Sequence, residues 1–529
     1  MIRTNNLARF LRHIWPYFVV AALAAAFLLP STAGAAAPIP PQMPTNSEIF
    51  QTIQELVSHG PRRQGSEGGD FAVQYVADKM REYGLSDVHV ESVTTSAWDA
   101  QSSELKIGAT ETDAFPVAFS LDQGPSSTGT FATPPGGTTA QIVDVGSGSS
   151  SSYNGKDVRG KIVMFDLDFQ LPLAAMLPVT EFIWDPQLSL FNSKTLFTAN
   201  PYITNYRAAA KAAIDNGAIG FVGVLADYFN SNKYYNEFYR ATQVSIPGMW
   251  VTKRVGADIR TKLKADPSLE ASISMSTTRR RVPANTVVGY LEGASKDSIL
   301  VTSHHDAVWD GAVEDGSGTA EVLALAKYYS QLPASGRKKT LMFSTNDTHF
   351  TGYQAHNAFI RRHVLQRDPA TEPHRIVADV AIEHIGKAAS IDKNGERVVS
   401  TAPEPRGIFE NLNPVLGLAV TNAVVRNDLR RTAILDANPL QVTGIPTDVS
   451  GMLMAGVPTV SLISGPVYMY DEADTLDKVA VDQLRPVANT FANIIDAIDN
   501  ANSGTIGYLP LSVTTAIGKQ LLKDAPLPE

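Results

Sequence analysis

Apolar residues recur at helical spacing near the start of the chain, first Ile49, Ile53, Leu56 and Val57, then Phe71, Tyr75, Val76 and Met80 ahead of Gly84. The pattern predicts two helices, the second over about 67–83, and DVHVESV at 87–93 reads as a strand. From about 100 to 282 the texture changes. Gly, Ser and Thr dominate 124–155, and short β-type runs such as AQIVDVG and GKIVMFD appear. After Arg281 strands and helices alternate, with strands at 298–303, 340–345, 376–382 and 458–463 and helices at 317–331, about 352–363 and about 481–498. This alternation predicts an α/β fold, a doubly wound and mostly parallel sheet with a β-rich insert. Ligands of such sheets bind at the carboxyl ends of the strands.

Those strand ends carry chemistry. His304, His305 and Asp306 follow the first of them, Asp347 and His349 the second, and Glu383 and His384 the third. Seven of the ten histidines (304, 305, 349, 356, 363, 374 and 384) lie in this part of the chain. Three strand ends that each deliver an acid and an imidazole are what a metal site requires. Ser317 is placed to cap the helix that begins there. Arg279, Arg280 and Arg281 read as a solvated surface or an interdomain contact.

Composition narrows the choice. The 529 residues hold no cysteine and a net charge of −9. Disulfide scaffolds, thiol catalysis and Cys-ligated metals are excluded, and with no basic block no nucleic-acid partner is expected. At the N-terminus Arg3, Arg9 and Arg12 precede an apolar run at 14–29 and a small-residue stretch, Ala33-Gly34-Ala35. This is the pattern of a signal peptide over 1–37 and implies export, secreted, periplasmic or at the cell surface. The run falls short of the roughly 17–25 residues of a membrane-spanning helix, and no membrane association is expected after cleavage.

The blocks SHHDAVWDGAVEDGSGTAEVLALA (303–326), KKTLMFSTNDTHFTGYQAHNAF (338–359), VADVAIEHIG (377–386) and DTLDKV (474–479), with SHGPRRQGSEGGDFAVQYVADKMREYGL at 58–85, resemble in order those of the co-catalytic di-zinc aminopeptidases and glutamate carboxypeptidase-like peptidases. VRGKIV, YRAAAKAAIDNGAIGFVGV and VSIPGMWVTKRVGADI, at 158–259, resemble a protease-associated domain, from which no catalytic residue is expected. The implied organisation is a first part of the peptidase-like domain at 38–110, the insert at 111–282, the main part at 283–500 and a tail at 501–529.

The resemblance implies His304 as a zinc ligand and Asp306 as the acid that orients it. Glu314 stands where the family has a metal-bridging Asp, and Glu383 where it has a later Asp ligand. An ungapped match puts His349 and Phe350 on a glutamate pair that serves as general base and ligand, and Tyr470 on the last ligand histidine. No histidine follows His384. The reading is therefore a zinc-dependent exopeptidase with a rearranged centre of one or two ions. His304, Glu314, His349 and Glu383 are its ligands, Asp306 and His349 its catalytic residues, and His305, Asp315, His384 and Tyr470 its further candidates. Its partner would be a peptide or protein substrate. Two alternatives stay open: a metal-free binding protein on the same fold, and other zinc chemistry on peptide ends, as in the glutaminyl cyclases.

Overall fold

The computed structural model describes residues 42–124, 127–235 and 244–524; the segment read as a signal peptide lies outside them. Helices α1 (Asn46–Val57) and α2 (Glu67–Glu82) open the chain. Thr45 and Glu48 close a capping box at α1 and Ser66 caps α2; of the apolar stripes read from the sequence, Ile49, Ile53, Leu56, Val76 and Met80 are buried and Val57, Phe71 and Tyr75 half-buried. The strand expected at 87–93 runs much further, as β1 (Ser86–Ile107). The insert follows, with β2 (Thr138–Asp144), β3 (Ile162–Leu167), β4 (Thr180–Trp184), α3 (Tyr206–Asp215), β5 (Gly220–Leu225), β6 (Gly248–Thr252) and α4 (Lys253–Ala265). A second long strand, β7 (Glu270–Leu291), leads back and pairs antiparallel with β1 almost from end to end.

The remainder alternates as expected: β8 (Ser295–His304), α5 (Gly316–Ser330), β9 (Lys339–Asn346), α6 (Gln354–Ile360) and β10 (Arg375–Ile382). Then come β11 (Arg406–Glu410), α7 (Pro414–Arg426), β12 (Thr432–Asp436), β13 (Thr459–Ser464), α8 (Leu484–Asn500) and α9 (Leu511–Asp524). The segment read as a tail thus contains a helix. Strand order through the insert and main sheet is β6-β5-β3-β2-β7-β9-β8-β10-β13-β11-β12-β4. The main sheet is mixed: β9, β8, β10 and β13 are parallel, while β7 and β11 run antiparallel to their neighbours β9 and β13. β8, β9, β10 and β13 are buried on both faces, which their continuous apolar runs require. Helices α1, α5 and α8 pack together against β8, and α2 and α6 lie against β1 and β7. A separate apolar cluster, including Ile162, Met164, Val222 and Val251, fills one face of the insert.

β1 eluded sequence reading beyond residue 93 because its buried positions there begin with Thr95 and Ala97 in a run of mostly small and polar residues, so little apolar alternation marks it before Leu105 and Ile107. The arginine run lies on β7. Arg280 pairs with Asp99 at 3.2 Å, whereas Arg279 is buried against Asp122 instead of solvated.

One buried ionic cluster ties α6 to the rest. His363, in the turn after α6, has Nε2 3.0 Å from Glu91 on β1 and Nδ1 3.1 Å from Glu372. Arg362 and His89 also face Glu91, and His374 faces Glu372. Burial lowers the His363 pKa, but the two carboxylates outweigh it and raise it above 6.5. Glu91 is held down at about 2 and Glu372 below 4.5, both against burial, chiefly by His363. The carboxylates therefore contribute fully above pH 4.5, and His363 fully below pH 6.5, with loss as pH rises through its raised pKa. Stability to denaturant should peak in that window and fall on the alkaline side. His363→Gln should cost on the order of 3 kcal/mol at pH 6 and flatten the alkaline slope, as read by denaturation midpoints against pH.

Candidate metal centre

Three strand ends and one loop build the site. β8 ends on His304, and β10 is followed directly by Glu383 and His384. After β9 the chain turns at Thr348, which has φ 78°, rare for a β-branched residue, and the turn presents His349. The loop between β8 and α5 supplies Glu314 and is pinned from two sides. The buried guanidinium of Arg62 donates to the carbonyls of His305, Asp310 and Gly311 at 2.6–2.8 Å. The carboxylate of Asp474 accepts from the backbone N–H of Val313 and Glu314.

Glu314 is the centre of the arrangement. Its Oε1 lies 3.4 Å from Nε2 of His304 and 3.4 Å from Nε2 of His349, and its Oε2 sits directly against Nε2 of His384. Each ring is oriented through its other nitrogen. Nδ1 of His304 is 3.1 Å from Asp306 Oδ1, Nδ1 of His349 is 3.0 Å from Asp448 Oδ1, and Nδ1 of His384 is 2.8 Å from the Ser464 carbonyl. All three partners are acceptors, so Nδ1 carries a proton in each ring and Nε2 is the nitrogen turned towards Glu314. His304, Glu314 and His349 each offer a ligand atom within 4.8 Å of the others.

The electrostatics fit a cation. Burial raises the Glu314 pKa, but His384, His304 and His349 outweigh it and hold the carboxylate well below its ordinary range. Against their own burial, His304 is raised well above 6.5, chiefly by Asp448, Asp306 and Glu314, and His384 to about 10, chiefly by Glu314. Nε2 of His304, Nε2 of His384 and both oxygens of Glu314 are buried, and among the described residues they meet no polar partner beyond one another and His349. Buried polar atoms left so are costly, and imidazole nitrogens facing a carboxylate form a donor set for zinc or a similar divalent ion.

The other candidates go elsewhere. Glu383 is not brought into this group: its Oε1 accepts from the Asp448 N–H at 3.1 Å and lies 3.4 Å from Ser461 Oγ. Asp315 is engaged as the cap of α5, accepting from Gly318 N–H, His384 N–H and Ser303 Oγ. It takes the capping role expected of Ser317, whose hydroxyl instead joins Val313 O to Ile385 N–H. A Cβ on Gly318 would lie 2.2 Å from both Asp315 and the Ile382 carbonyl, which fixes glycine there. His305 points to Thr345 Oγ1 at 3.0 Å, and burial pushes its pKa down to about 3. The Tyr470 ring packs among Phe350 and Tyr234, and Phe350 lies edge-on to His349 at 4.9 Å. Asp306 also accepts from Gln64 Nε2 at 2.7 Å, which fixes the acid that orients His304.

Two contributors were not foreseen. Asp448, in the loop before Ser450, orients His349 and faces His356 Nε2 at 3.5 Å. Three imidazoles, of His304, His349 and His356, hold it well below 3.8 against its burial. Tyr202 belongs to the insert, yet its ring stacks on His384 at 6.1 Å with its hydroxyl 3.4 Å from Nδ1. Both line a cavity of about 380 Å³ that reaches His349, Glu383 and His384.

Residues 285–495 match the model of Peptidase family M28. Carboxypeptidase Q of Mus musculus is 24% identical over 337 residues, which cover 59% of this chain and 62% of that protein. The chain thus spans less than two thirds of the length of this relative. Among solved structures, the Peptidase M28 precursor from Shewanella amazonensis is 20% identical with a TM-score of 0.62, covering 88% of this chain and 95% of that one. BSAP, a zinc aminopeptidase from Bacillus subtilis, is 15% identical with a TM-score of 0.59, covering 88% and 99%. The resemblance to zinc aminopeptidase-like metallopeptidases read from the sequence blocks is borne out, and the chain shares the α/β fold of these structures.

If Asp448 orients His349 as Asp306 orients His304, Asp448→Ala and Asp306→Ala should each weaken zinc binding about 10–100-fold in calorimetric titration. A surface acid such as Asp258→Ala should leave it unchanged.

Proposed function

We propose that this chain is an exported, zinc-dependent peptidase of the M28 type, acting at peptide ends, with the β-rich segment 111–282 as a protease-associated-type insert. The observation that supports it most is the convergence of His304, His349 and Glu314, with His384 against the second oxygen of the same carboxylate. The segment read as a signal peptide supports export, and no helix among the described residues is long and apolar enough to cross a membrane.

One ion fits the residues best. His304, His349 and Glu314 would hold it, supplying a single carboxylate where a pair of dications would need several. Zinc so held polarises a carbonyl and supplies a nucleophilic water near neutral pH. The chain's own residues do the rest. Asp306 and Asp448 keep the Nδ1 protons of His304 and His349 in place. Burial and the neighbouring charge of Asp448 raise Glu383 well above 4.5, so its carboxyl is the protonated neighbour of an ionised one. Two acids pushed apart in this way suit separate roles, and we assign proton transfer at the substrate to Glu383. Tyr202 and the loop containing Asp448 shape the cavity that receives the peptide end.

A second reading, a binding protein without metal, draws on Phe350 and Tyr470, both packed in an aromatic cluster where the family resemblance implies ligands. Metal analysis with peptide hydrolysis separates the two. The wild type should retain about one zinc per chain, lose hydrolysis to a chelator and regain it with zinc. His349→Ala should lose both metal and hydrolysis. Glu383→Gln should keep the metal and lose at least about 100-fold in kcat, the usual range for a proton-transfer group. Loss of zinc from Glu383→Gln would instead make Glu383 a ligand, and a wild type that neither holds zinc nor is stabilised by it would favour the binding protein.

A further inference from the structure

A second void lies on the Phe350 side of the turn that presents His349. It measures about 430 Å³, and its walls come from both parts of the fold: Arg63 and Trp309 from the peptidase part, Trp98 on β1, and Phe115, Lys233 and Tyr235 from the insert. A separate small void of about 40 Å³ shares Arg63, Trp98 and Tyr235 with it and is lined also by Phe350. The Phe350 ring stands edge-on to His349 at 4.9 Å and to His304 at 6.0 Å. The shared wall of Arg63, Trp98 and Tyr235 thus places the cleft beside the ring that borders the metal centre.

Its lining selects a ligand. Phe115 and Trp309 lie 5.6 Å apart at 44°, and with Trp98 and Tyr235 they offer ring faces to an aromatic group. The charges are unequal. Arg63 is paired with Asp99 at 3.2 Å, and Asp99 also meets Arg280. Lys233, with Nζ 5.0 Å from the Phe115 centroid, forms no ion pair among the described residues. Among the described residues the uncompensated charge in this aromatic cleft is positive, so the complementary occupant is aromatic and anionic. The volume lies within the usual range of small-molecule sites, roughly 300–1,000 Å³.

We propose that this cleft binds an aromatic carboxylate, and that its occupant is the C-terminal residue of a peptide substrate, with Lys233 holding the carboxylate and Trp309 and Phe115 the side chain. As part of a substrate groove the assignment rests on the peptidase reading, but binding is measured without hydrolysis. The probe is N-acetylphenylalanine, titrated by calorimetry and by tryptophan emission into full-length protein carrying His349→Ala, so that turnover is absent. Saturable binding is expected. Replacing the probe by its amide, or adding Lys233→Met, should weaken it about tenfold, the loss of one charge-assisted contact. Lys233→Arg should restore most of it, and Trp309→Phe should reduce the emission change while thermal unfolding stays that of the parent. No saturable binding, equal affinity for acid and amide, or full affinity in Lys233→Met would each overturn the proposal, and none of these would touch the peptidase reading. Hydrolysis absent in the wild type while the probe still binds through Lys233 would overturn the substrate assignment.

Discussion

The structure depends on burying one carboxylate. Glu314 is 1% exposed, and its oxygens face the Nε2 atoms of His304, His349 and His384. An ionised carboxylate in such a place is costly unless compensating groups surround it. Here they are imidazoles from three different strand ends, which the parallel core must bring to one point. The order β9-β8-β10 does this, because parallel neighbours end on the same side of the sheet and so deliver His349, His304 and His384 together.

Placing the imidazoles is only half of the requirement, since each must also turn the correct nitrogen inward. Asp306, Asp448 and the Ser464 carbonyl settle this by engaging Nδ1 in every case. The loop that carries Glu314 has the complementary problem, a run of backbone polar groups in a buried place. Arg62 satisfies three of its carbonyls, Asp474 two of its amides, and Asp315 caps the helix that follows. The motif residues Asp315, Ser317, Gly318 and Asp474 are therefore a framework for Glu314.

This division explains what could be read from the sequence. The alternation of β8, α5, β9 and β10 was legible because buried parallel strands are continuous apolar runs and α5 is flanked by glycine and polar residues. His304, Glu314 and His349 were legible as a set because they lie at strand ends or in a recognisable block. β1 beyond residue 93 was not, since its inward positions there include Thr95 and Ala97, too small or polar to contrast with the outward ones in the sequence. Asp448 was not, because it is a lone acid in a loop far from any strand end, and its role exists only through the tertiary contact with His349. Tyr202 was hidden for the same reason, in an insert whose local pattern speaks only of its own fold. Glu383 misled in the other direction: its strand-end position is a ligand's, but its carboxyl turns to the Asp448 N–H and away from Glu314.

Asp448 and Glu383 show how short-range contacts set chemistry. Both are buried acids lining one cavity, and the backbone N–H of one binds the carboxyl of the other. Burial alone would raise both pKa values. Asp448 escapes because its carboxylate meets the imidazoles of His349 and His356 and feels that of His304. Glu383 receives only an amide and sits near a hydroxyl, and the negative charge of Asp448 adds to its burial. Asp448 is thereby held as the carboxylate that orients His349, while Glu383, on the wall of the same cavity, is pushed the other way. A substitution that moved either carboxyl by one side-chain length would change the separation from the imidazoles and from each other on which that contrast depends.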